Sequence, residues 1–137
     1  MPFKKKKDTS KKDTSARSDK DGAQTVRDFE LFVILSILRQ AEEPYANRVR
    51  EDLERTSERR VTRGALYRTL DRLEEKGLVR WELEPSQVPE RGGHPMRRLQ
   101  VTAPGLSAAR AQQTLLRRFF AGLDLEAIAD ASQGGQR

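Results

Sequence analysis

The spacing of the apolar residues changes abruptly at Gly77, and this change limits what the chain can fold into. Before it, Leu66, Leu70 and Leu73 recur every three to four residues, which is the period of a helix with one buried face. After it, the segment 79–84 (VRWELE) alternates apolar and charged residues, which is the period of a half-buried strand. The sequence therefore predicts a helix that stops at Gly77 and leads directly into a strand.

Two further helices are predicted before this one. The apolar segment 29–38 follows a capping-box-like pair, Thr25 and Asp28, and its length favours a buried helix over a buried strand. Pro44 occupies the position expected of a proline in the first turn of a helix, and apolar residues then recur every four positions. We therefore predict a second helix over about 44–57.

A hairpin and one more helix are predicted after Gly77. The segment 98–101 alternates like 79–84, so the two predict paired strands joined by a long basic tip over 85–95. Thr102 can cap a following alanine-rich helix that runs to about Leu123. Three helices followed by a two-stranded hairpin is the order of a winged helix-turn-helix domain. The predicted fold is therefore mainly α with a small β-hairpin.

The chain divides into three predicted parts. These are a disordered basic tail over 1–25, a winged helix domain over 26–103 and a C-terminal dimerisation helix over 104–131. The tail contains almost nothing apolar to bury. It is either a solubilising segment or a basic arm that adds nonspecific attraction to phosphates, and both interpretations stay open. The whole chain has a net charge of +6, which favours an anionic partner.

Several classes of site lack the residues that they need. The sequence has no cysteine, and His94 is its only histidine, so neither a zinc site nor a Ser-His or Cys-His nucleophile is expected. The acidic residues after position 40 are expected on the surface, in pairs such as Arg48 with Asp52. Catalysis by carboxylates alone has no supporting pattern. We predict no enzyme and no cofactor, and a cytoplasmic protein outside the membrane.

The third helix separates its charges along its length. Its N-terminal half carries Arg63 and Arg68, whereas Asp71 and Glu75 lie further on, where DNA phosphates would repel them. The N-terminal end is therefore predicted to enter the major groove. Gly64 lowers helix stability there, and it is either simply tolerated in the first turn or allows DNA to approach the backbone closely.

The predicted DNA-binding residues of this helix are Thr62, Arg63, Gly64, Tyr67 and Arg68. Those of the hairpin are Arg91, His94, Arg97 and Arg98. Arg63 and Arg68 are expected on bases or phosphates, and Tyr67 on a phosphate. A competing hypothesis is a winged-helix module that uses the hairpin to bind a partner protein and binds no specific DNA.

The segment 64–79, GALYRTLDRLEEKGLV, is similar to a signature of the PadR-type transcriptional regulators. The similarity continues in ERGGHP at 90–95 and VTAPG at 101–105, which resemble the family's wing and the joint after it. It extends over about 29–110. The resemblance implies a homodimer, joined through the C-terminal and first helices, that represses transcription until a small molecule or another signal releases it.

Two positions depart from the family pattern: His94 stands where arginine is common, and Leu99 where an aromatic residue is common. Trp81 is expected in the core. The expected partners are duplex DNA with a palindromic operator, a second copy of the chain, and a small-molecule effector if a ligand controls release. The predicted dimer interface, a stripe that a monomer would expose, is Leu116, Phe119, Phe120 and Leu123.

Overall fold

The computed structural model describes residues 26–85 and 95–134. Three helices come first and an antiparallel hairpin follows, which confirms the predicted winged helix. The helices are α1 (Asp28–Arg39), α2 (Ala46–Ser57) and α3 (Arg63–Glu75), the strands are β1 (Val79–Glu84) and β2 (Met96–Val101), and two more helices are α4 (Ala103–Phe120) and α5 (Leu125–Gly134). Within the described ranges no helix is long and apolar enough to cross a membrane. The predicted tail over 1–25 lies outside these ranges.

The core lies where α1 packs against α2, α3, β2 and α4. Val33 and Ile34 of α1 are fully buried, and so are the three leucines that predicted α3, Leu66, Leu70 and Leu73. Burial of each such side chain contributes about 1.5 to 3 kcal/mol. The spacing of these leucines, three to four residues, therefore correctly identified the face of α3 that packs in the core.

Both ends of α3 form as the sequence predicts. The Thr62 side-chain oxygen accepts a hydrogen bond from the Ala65 N–H (3.1 Å) and so caps the first turn. At the other end, Gly77 has a φ of 77°, a left-handed conformation that favours glycine, and the chain turns there into β1.

The start of α4 is locked onto this turn. The Thr102 hydroxyl donates to the Gly77 carbonyl (2.7 Å) and accepts from the Gly105 N–H (3.0 Å), which confirms the predicted cap. A Cβ at Gly105 would overlap the carbonyl oxygen of Leu78, so only glycine lets α4 approach β1 this closely. The VTAPG joint therefore fixes α4 against the hairpin.

A buried carboxylate connects α1 to the end of α3. Glu30 is fully buried and accepts hydrogen bonds from the Arg27 N–H (2.9 Å), Lys76 Nζ (2.9 Å) and Arg72 Nε (3.2 Å). Burial alone would raise the pKa of Glu30, but these three donors outweigh it and hold the pKa below its ordinary value of 4.5. The Glu30 carboxylate also caps the start of α1 by accepting from the Arg27 N–H. The observed capping pair is therefore Arg27 and Glu30, and the predicted pair, Thr25 and Asp28, is wrong.

A second buried acid corrects the predicted surface pair on α2. Asp52 is buried and accepts from Ser36 Oγ (2.6 Å) and Arg39 Nη2 (2.8 Å), while Arg48 pairs with Glu43 (2.7 Å). Burial opposes ionisation of Asp52, yet the Ser36 and Arg39 contacts leave its pKa lowered. The prediction failed because the face of α2 that carries Asp52 packs against α1.

The second helix begins later than predicted. It starts at Ala46 after the cap residue Tyr45, not at Pro44. The Pro44 carbonyl accepts a hydrogen bond from the Leu99 N–H (2.8 Å), and Tyr45 forms an isolated antiparallel bridge with Arg98. This segment is extended because it pairs with β2, which lies more than fifty residues further along the chain and which local sequence signals do not reveal.

The C-terminal region contains two helices where one was predicted. Helix α4 ends at Phe120, and Gly122 adopts a left-handed φ of 82° that breaks the helix. Asp124 then caps α5, because its Oδ1 accepts from the Ala127 N–H (3.1 Å). The single dimerisation helix over 104–131 is therefore corrected to α4 and α5.

Glu30→Gln is expected to reduce both stability and its dependence on pH. Because the pKa of Glu30 is lowered in the folded state, its contribution is complete above pH 4.5 and is lost as the pH falls through the lower folded pKa. The free energy of unfolding of the variant should be lower by about 2 to 3 kcal/mol at neutral pH. It should also decrease less steeply than that of the native protein between about pH 5 and 3. Urea unfolding at several pH values measures both, with exposed Glu51→Gln as control. An unchanged pH slope in Glu30→Gln would contradict the role assigned to this carboxylate.

Candidate nucleic-acid interface

The first two turns of α3 present a cationic surface, which we call the reading surface and define as Thr62, Arg63, Gly64 and Arg68. All four residues are exposed. Neither arginine has an ion pair or a side-chain hydrogen bond within residues 26–85 and 95–134. The free backbone N–H groups at a helix N-terminus also favour an anion. This end of α3 is therefore suited to phosphate or base contacts.

The link between α2 and α3 adds two cations to which sequence reasoning assigned no role. Arg59 and Arg60 are exposed, and the described part of the chain offers neither of them an ion pair. Arg50, by contrast, donates to the Val61 carbonyl (3.2 Å) and lies 3.6 Å from Glu54. The sequence feature that could have pointed to these two residues is the density of arginine, because four arginines lie within positions 59–68.

Gly64 has no packing reason to be glycine. A Cβ there would lie 3.5 Å from Arg68 Nη1, which is an ordinary van der Waals contact with a flexible side chain. Glycine costs a helix roughly 1 kcal/mol relative to alanine. No contact among the described residues compensates for this loss of helix stability. Of the two interpretations of Gly64, the absence of a packing role favours close approach of DNA to the backbone.

Arg97 holds the hairpin against α3 and is largely covered. Its guanidinium carbon lies 4.0 Å from the ring centre of Trp81 and 4.2 Å from that of Tyr67, and Nη1 lies 3.3 Å from Asp71 Oδ1. Only 16% of the side chain is exposed. We call this group of four residues the Arg97 clamp. It places Arg97 where it orients the hairpin, whereas the sequence predicted it on the DNA.

Arg98 points to the opposite side of the sheet. Its Nη1 donates to the Tyr45 hydroxyl (3.3 Å), and its Nε lies 3.8 Å from Glu84. Successive residues of a strand point to opposite faces, so Arg97 and Arg98 do not belong to one surface. The remaining hairpin residues predicted to bind DNA, Arg91 and His94, lie outside the described residues.

The predicted dimer residues are exposed. Leu116, Phe119 and Phe120 lie on the last turns of α4 and Leu123 in the turn after it, and Phe119 is 74% exposed. The outer face of α1 adds another apolar stripe, whose members are Phe32, Leu35 and Leu38. An apolar surface of this extent is typical of an interface.

Three helices, a hairpin and, at the start of the third helix, arginines that have no partner within the described ranges are the features of a winged-helix protein of the DNA-binding class. The profile of the transcriptional regulator PadR-like family matches residues 34–109, more than half of the chain. The chain therefore belongs to the PadR-like family of transcriptional regulators.

Several solved structures of low sequence identity share this fold. A complex of RosR from H. salinarum has 23% identity and a TM-score of 0.54, covering 89% of this chain and 99% of that chain. A PadR-like transcription factor from Bacteroides fragilis has 20% identity and a TM-score of 0.56, covering 78% and 91%. PcaV from Streptomyces coelicolor, solved with its natural ligand, has 16% identity and a TM-score of 0.53, covering 93% and 91%. No curated protein matches the sequence.

Arg97→Met is expected to loosen the hairpin without removing a DNA contact. The apolar stem is kept, while the ion pair and both ring contacts are lost, which should cost about 1 to 2 kcal/mol. Loss of the Arg97 contact should expose the Trp81 ring to water, so its fluorescence emission should shift to longer wavelength. Trp81 is the only tryptophan in the sequence, so the emission reports on this site alone. DNA affinity should fall with an unchanged dependence on salt, whereas loss of a phosphate contact would lower the slope by about one unit. Exposed Arg80→Met is the control, and a lower salt slope in Arg97→Met alone would place Arg97 on the DNA.

Gly64→Ala is expected to separate stability from DNA binding. The variant should be more stable by about 0.5 to 1 kcal/mol, because alanine favours the helix and its Cβ fits. Its affinity for DNA should fall about tenfold or more, because the methyl group holds the backbone away from the groove. Thermal unfolding and fluorescence anisotropy measure the two effects. Gly105→Ala is the matched comparison and should destabilise the fold; unchanged DNA affinity in Gly64→Ala would show that this glycine is merely tolerated.

Proposed function

We propose that the protein is a dimeric repressor that binds a palindromic operator through the reading surface of α3. The observation that carries the proposal is the contrast between the two halves of this helix. Within the described ranges, the two arginines of the N-terminal half have no partner and its glycine has no packing role. The C-terminal half carries Asp71, Glu74 and Glu75, and its arginine, Arg72, is bound to the buried Glu30. Only the N-terminal half is suited to enter a groove lined by phosphates.

The residues of this surface have different proposed roles. Arg68, in the second turn, and Arg63, in the first, extend from the end that enters the groove and are proposed to contact bases, for which guanine is the preferred partner of arginine. Thr62 and the Tyr67 hydroxyl, which has no hydrogen bond within the described ranges, are proposed to contact phosphates. Arg91 and His94 at the hairpin tip are proposed to contact the flanking DNA.

A second copy is proposed to complete the regulator. The stripe on α4 and the outer face of α1 are exposed in a single copy, and covering them would remove a large apolar area from water. A two-fold dimer would present two α3 helices to half-sites one helical turn apart, about 34 Å. The operator should therefore be a palindrome.

Release by a signal is also proposed. A signal molecule would have to bind more tightly to a form of the dimer in which the two α3 helices are not at this spacing than to the DNA-bound form. Only then does its binding shift the protein away from DNA. The competing function is a module that binds a partner protein and no specific DNA. The arginines of α3 that have no partner among the described residues favour the repressor, and a mobility-shift assay with the DNA upstream of its own gene separates the two functions.

Arg68→Ala is expected to reduce sequence preference rather than overall attraction to DNA. Loss of one base contact should cost about 1 to 3 kcal/mol on the preferred site and little on random DNA. Selection from a random DNA pool, followed by binding at several salt concentrations, measures both. A chain without residues 1–25 is the contrasting variant, in which we expect lower affinity for all sequences and a smaller salt slope. Equal losses on every sequence from both changes would contradict this division of roles.

A further inference from the structure

Two arginines precede Thr62 at fixed distances along the chain. Arg59 and Arg60 stand three and two positions before it, and Arg63 follows it directly. Kinases recognise their substrates partly by such charge patterns, because acidic groups beside the active site pair with basic side chains at fixed offsets from the acceptor hydroxyl. The segment 59–62 (RRVT) therefore has the sequence of a phosphorylation site.

The same pattern occurs twice more in the sequence, near its N-terminus. The segments 6–9 and 11–14 both read KKDT, so each places two lysines at the third and second positions before a threonine. An enzyme that recognises one of the three segments by charge should recognise all of them. Thr9 and Thr14 are therefore internal references for a modification at Thr62.

The Thr62 hydroxyl is available as an acceptor. Among the serines and threonines that the structure describes, Thr62 alone has two basic residues at these positions. Thr69 is buried, and the Thr56 hydroxyl donates to Asp52 (3.3 Å). Thr62 is exposed, its oxygen accepts from the Ala65 N–H (3.1 Å), and within the described ranges its own proton has no acceptor. A hydroxyl has two lone pairs, so one remains for attack on an electrophile.

The backbone displays this segment on the surface. Residues 59–62 lie between α2 and α3, outside both helices, and Thr62 has extended dihedral angles (φ −78°, ψ 156°). Val61 is buried, and its N–H and carbonyl both bond to side chains of α2. Since neighbours in an extended segment point in opposite directions, Arg60 and Thr62 face away from the core that Val61 enters. The acceptor and its nearest arginine are thus accessible to an enzyme.

The residue after the acceptor can also become accessible. Arg63 is the first residue of α3, and helix ends open locally at a low cost in free energy. Gly64 lowers the stability of this first turn further. A kinase can therefore bind the chain in an extended form past Thr62 without unfolding the domain.

We propose that Thr62 is a phosphorylation site for a serine/threonine kinase that selects basic residues, and that its phosphate releases the protein from DNA. The inference rests on the proposed function, because it concerns the regulation of the reading surface. The Thr62 oxygen attacks the γ-phosphorus of a nucleoside triphosphate, and the bond from that phosphorus to the β–γ bridging oxygen breaks. A nucleoside diphosphate leaves, and the hydroxyl proton passes to a carboxylate of the kinase.

The phosphate would remove much of the positive charge that attracts DNA. Arg59, Arg60, Arg63 and Arg68 contribute four positive charges, and phosphothreonine adds about two negative charges at neutral pH. The nearest arginines would pair with this phosphate instead of with DNA. A DNA phosphate that approaches this end of α3 would meet a like charge. The fold itself should be retained, because negative charge is favourable at the start of a helix.

Treatment of the purified full chain with a kinase tests the site. The probe is a serine/threonine kinase that selects basic residues at the third and second positions before its acceptor, supplied with magnesium and ATP. Peptide mass spectrometry should find phosphate on Thr62 as well as on Thr9 and Thr14. Prior binding of operator DNA should protect Thr62 and leave the other two reactive. Absence of phosphate from Thr62, whether or not the tail is modified, would overturn the proposal.

Two variants separate the basic pattern from the hydroxyl. Arg59→Gln with Arg60→Gln should slow phosphorylation of Thr62 about tenfold or more, because two attractive charge pairs with the kinase are lost. Arg117→Gln with Arg118→Gln, an exposed pair on α4, is the charge-matched control and should leave the rate unchanged. Thr62→Asn keeps a side chain that can cap α3 but has no hydroxyl to modify. An unchanged rate in the first variant would show that these arginines do not guide a kinase to Thr62, and would overturn the recognition proposed.

DNA binding before and after kinase treatment measures the consequence. Each lost phosphate contact lowers affinity by roughly a factor of ten at about 0.1 M salt. Treatment should therefore reduce the affinity of the native chain about a hundredfold more than that of Thr62→Asn, with a salt slope smaller by about two units. The melting temperature of the treated chain should not fall. An equal reduction in the native chain and in Thr62→Asn would assign the effect to the tail and overturn the proposed release.

The outcomes also separate this inference from the proposed function. Specific binding to DNA with an unmodified Thr62 would overturn the inference and leave the repressor standing. Phosphate on Thr62 in a chain that binds no specific DNA would contradict the repressor and support the modification site alone. In the chain isolated from its own cells, Thr62 should carry phosphate in at least one growth phase. Its absence from growing and resting cells alike would overturn the proposal.

Discussion

The carboxylate of Glu30 determines how α3 is held. A charged group without access to water is destabilising unless donors surround it, and its three donors come from the start of α1 and from the end of α3. Arg72 and Lys76 therefore cannot move away from α1 without leaving the charge uncompensated. Because a helix is stiff over thirteen residues, fixing its C-terminal end also directs its other end, where the reading surface lies.

The hairpin is attached to this frame at two points. At its base, Thr102 and Gly105 bind α4 to the turn at Gly77, and at its outer part Arg97 lies between Trp81 and Tyr67. At the base, Gly105 leaves no room for a side chain. At the outer part, the Arg97 guanidinium lies between the two aromatic rings. The two strands of the hairpin are thereby fixed relative to α3, and a site on such rigid elements keeps its geometry.

Predictions that depend on near neighbours in the chain were confirmed. The leucine spacing of α3, the caps at Thr62 and Thr102 and the turn at Gly77 each involve residues within a few positions of one another. Predictions failed where a distant partner decided the outcome, since Pro44 pairs with β2 and Asp52 with α1. The helix break at Gly122 was a local signal that the alanine-rich pattern obscured.

In the candidate site, too, features that depend on near neighbours were predictable and features that depend on distant residues were not. Exposure of the reading surface follows from the helical period, so the sequence could indicate it. The covered position of Arg97 could not be read from a list of basic residues, because it depends on aromatic rings from β1 and α3. Strand alternation places Arg97 and Arg98 on opposite faces, but the prediction of both residues on the DNA did not apply that rule.

The separation of charge along α3 has a consequence for the kinetics of binding. Positive charge at one end and negative charge at the other give the helix a permanent electrical asymmetry that the field of a DNA rod acts on before any contact forms. The resulting torque turns the domain with its arginines forward during diffusion, so more collisions occur in the productive orientation. The carboxylate of Glu75, which has no ion pair within the described ranges, would thus accelerate association by making an approach with the C-terminal end of α3 forward unfavourable.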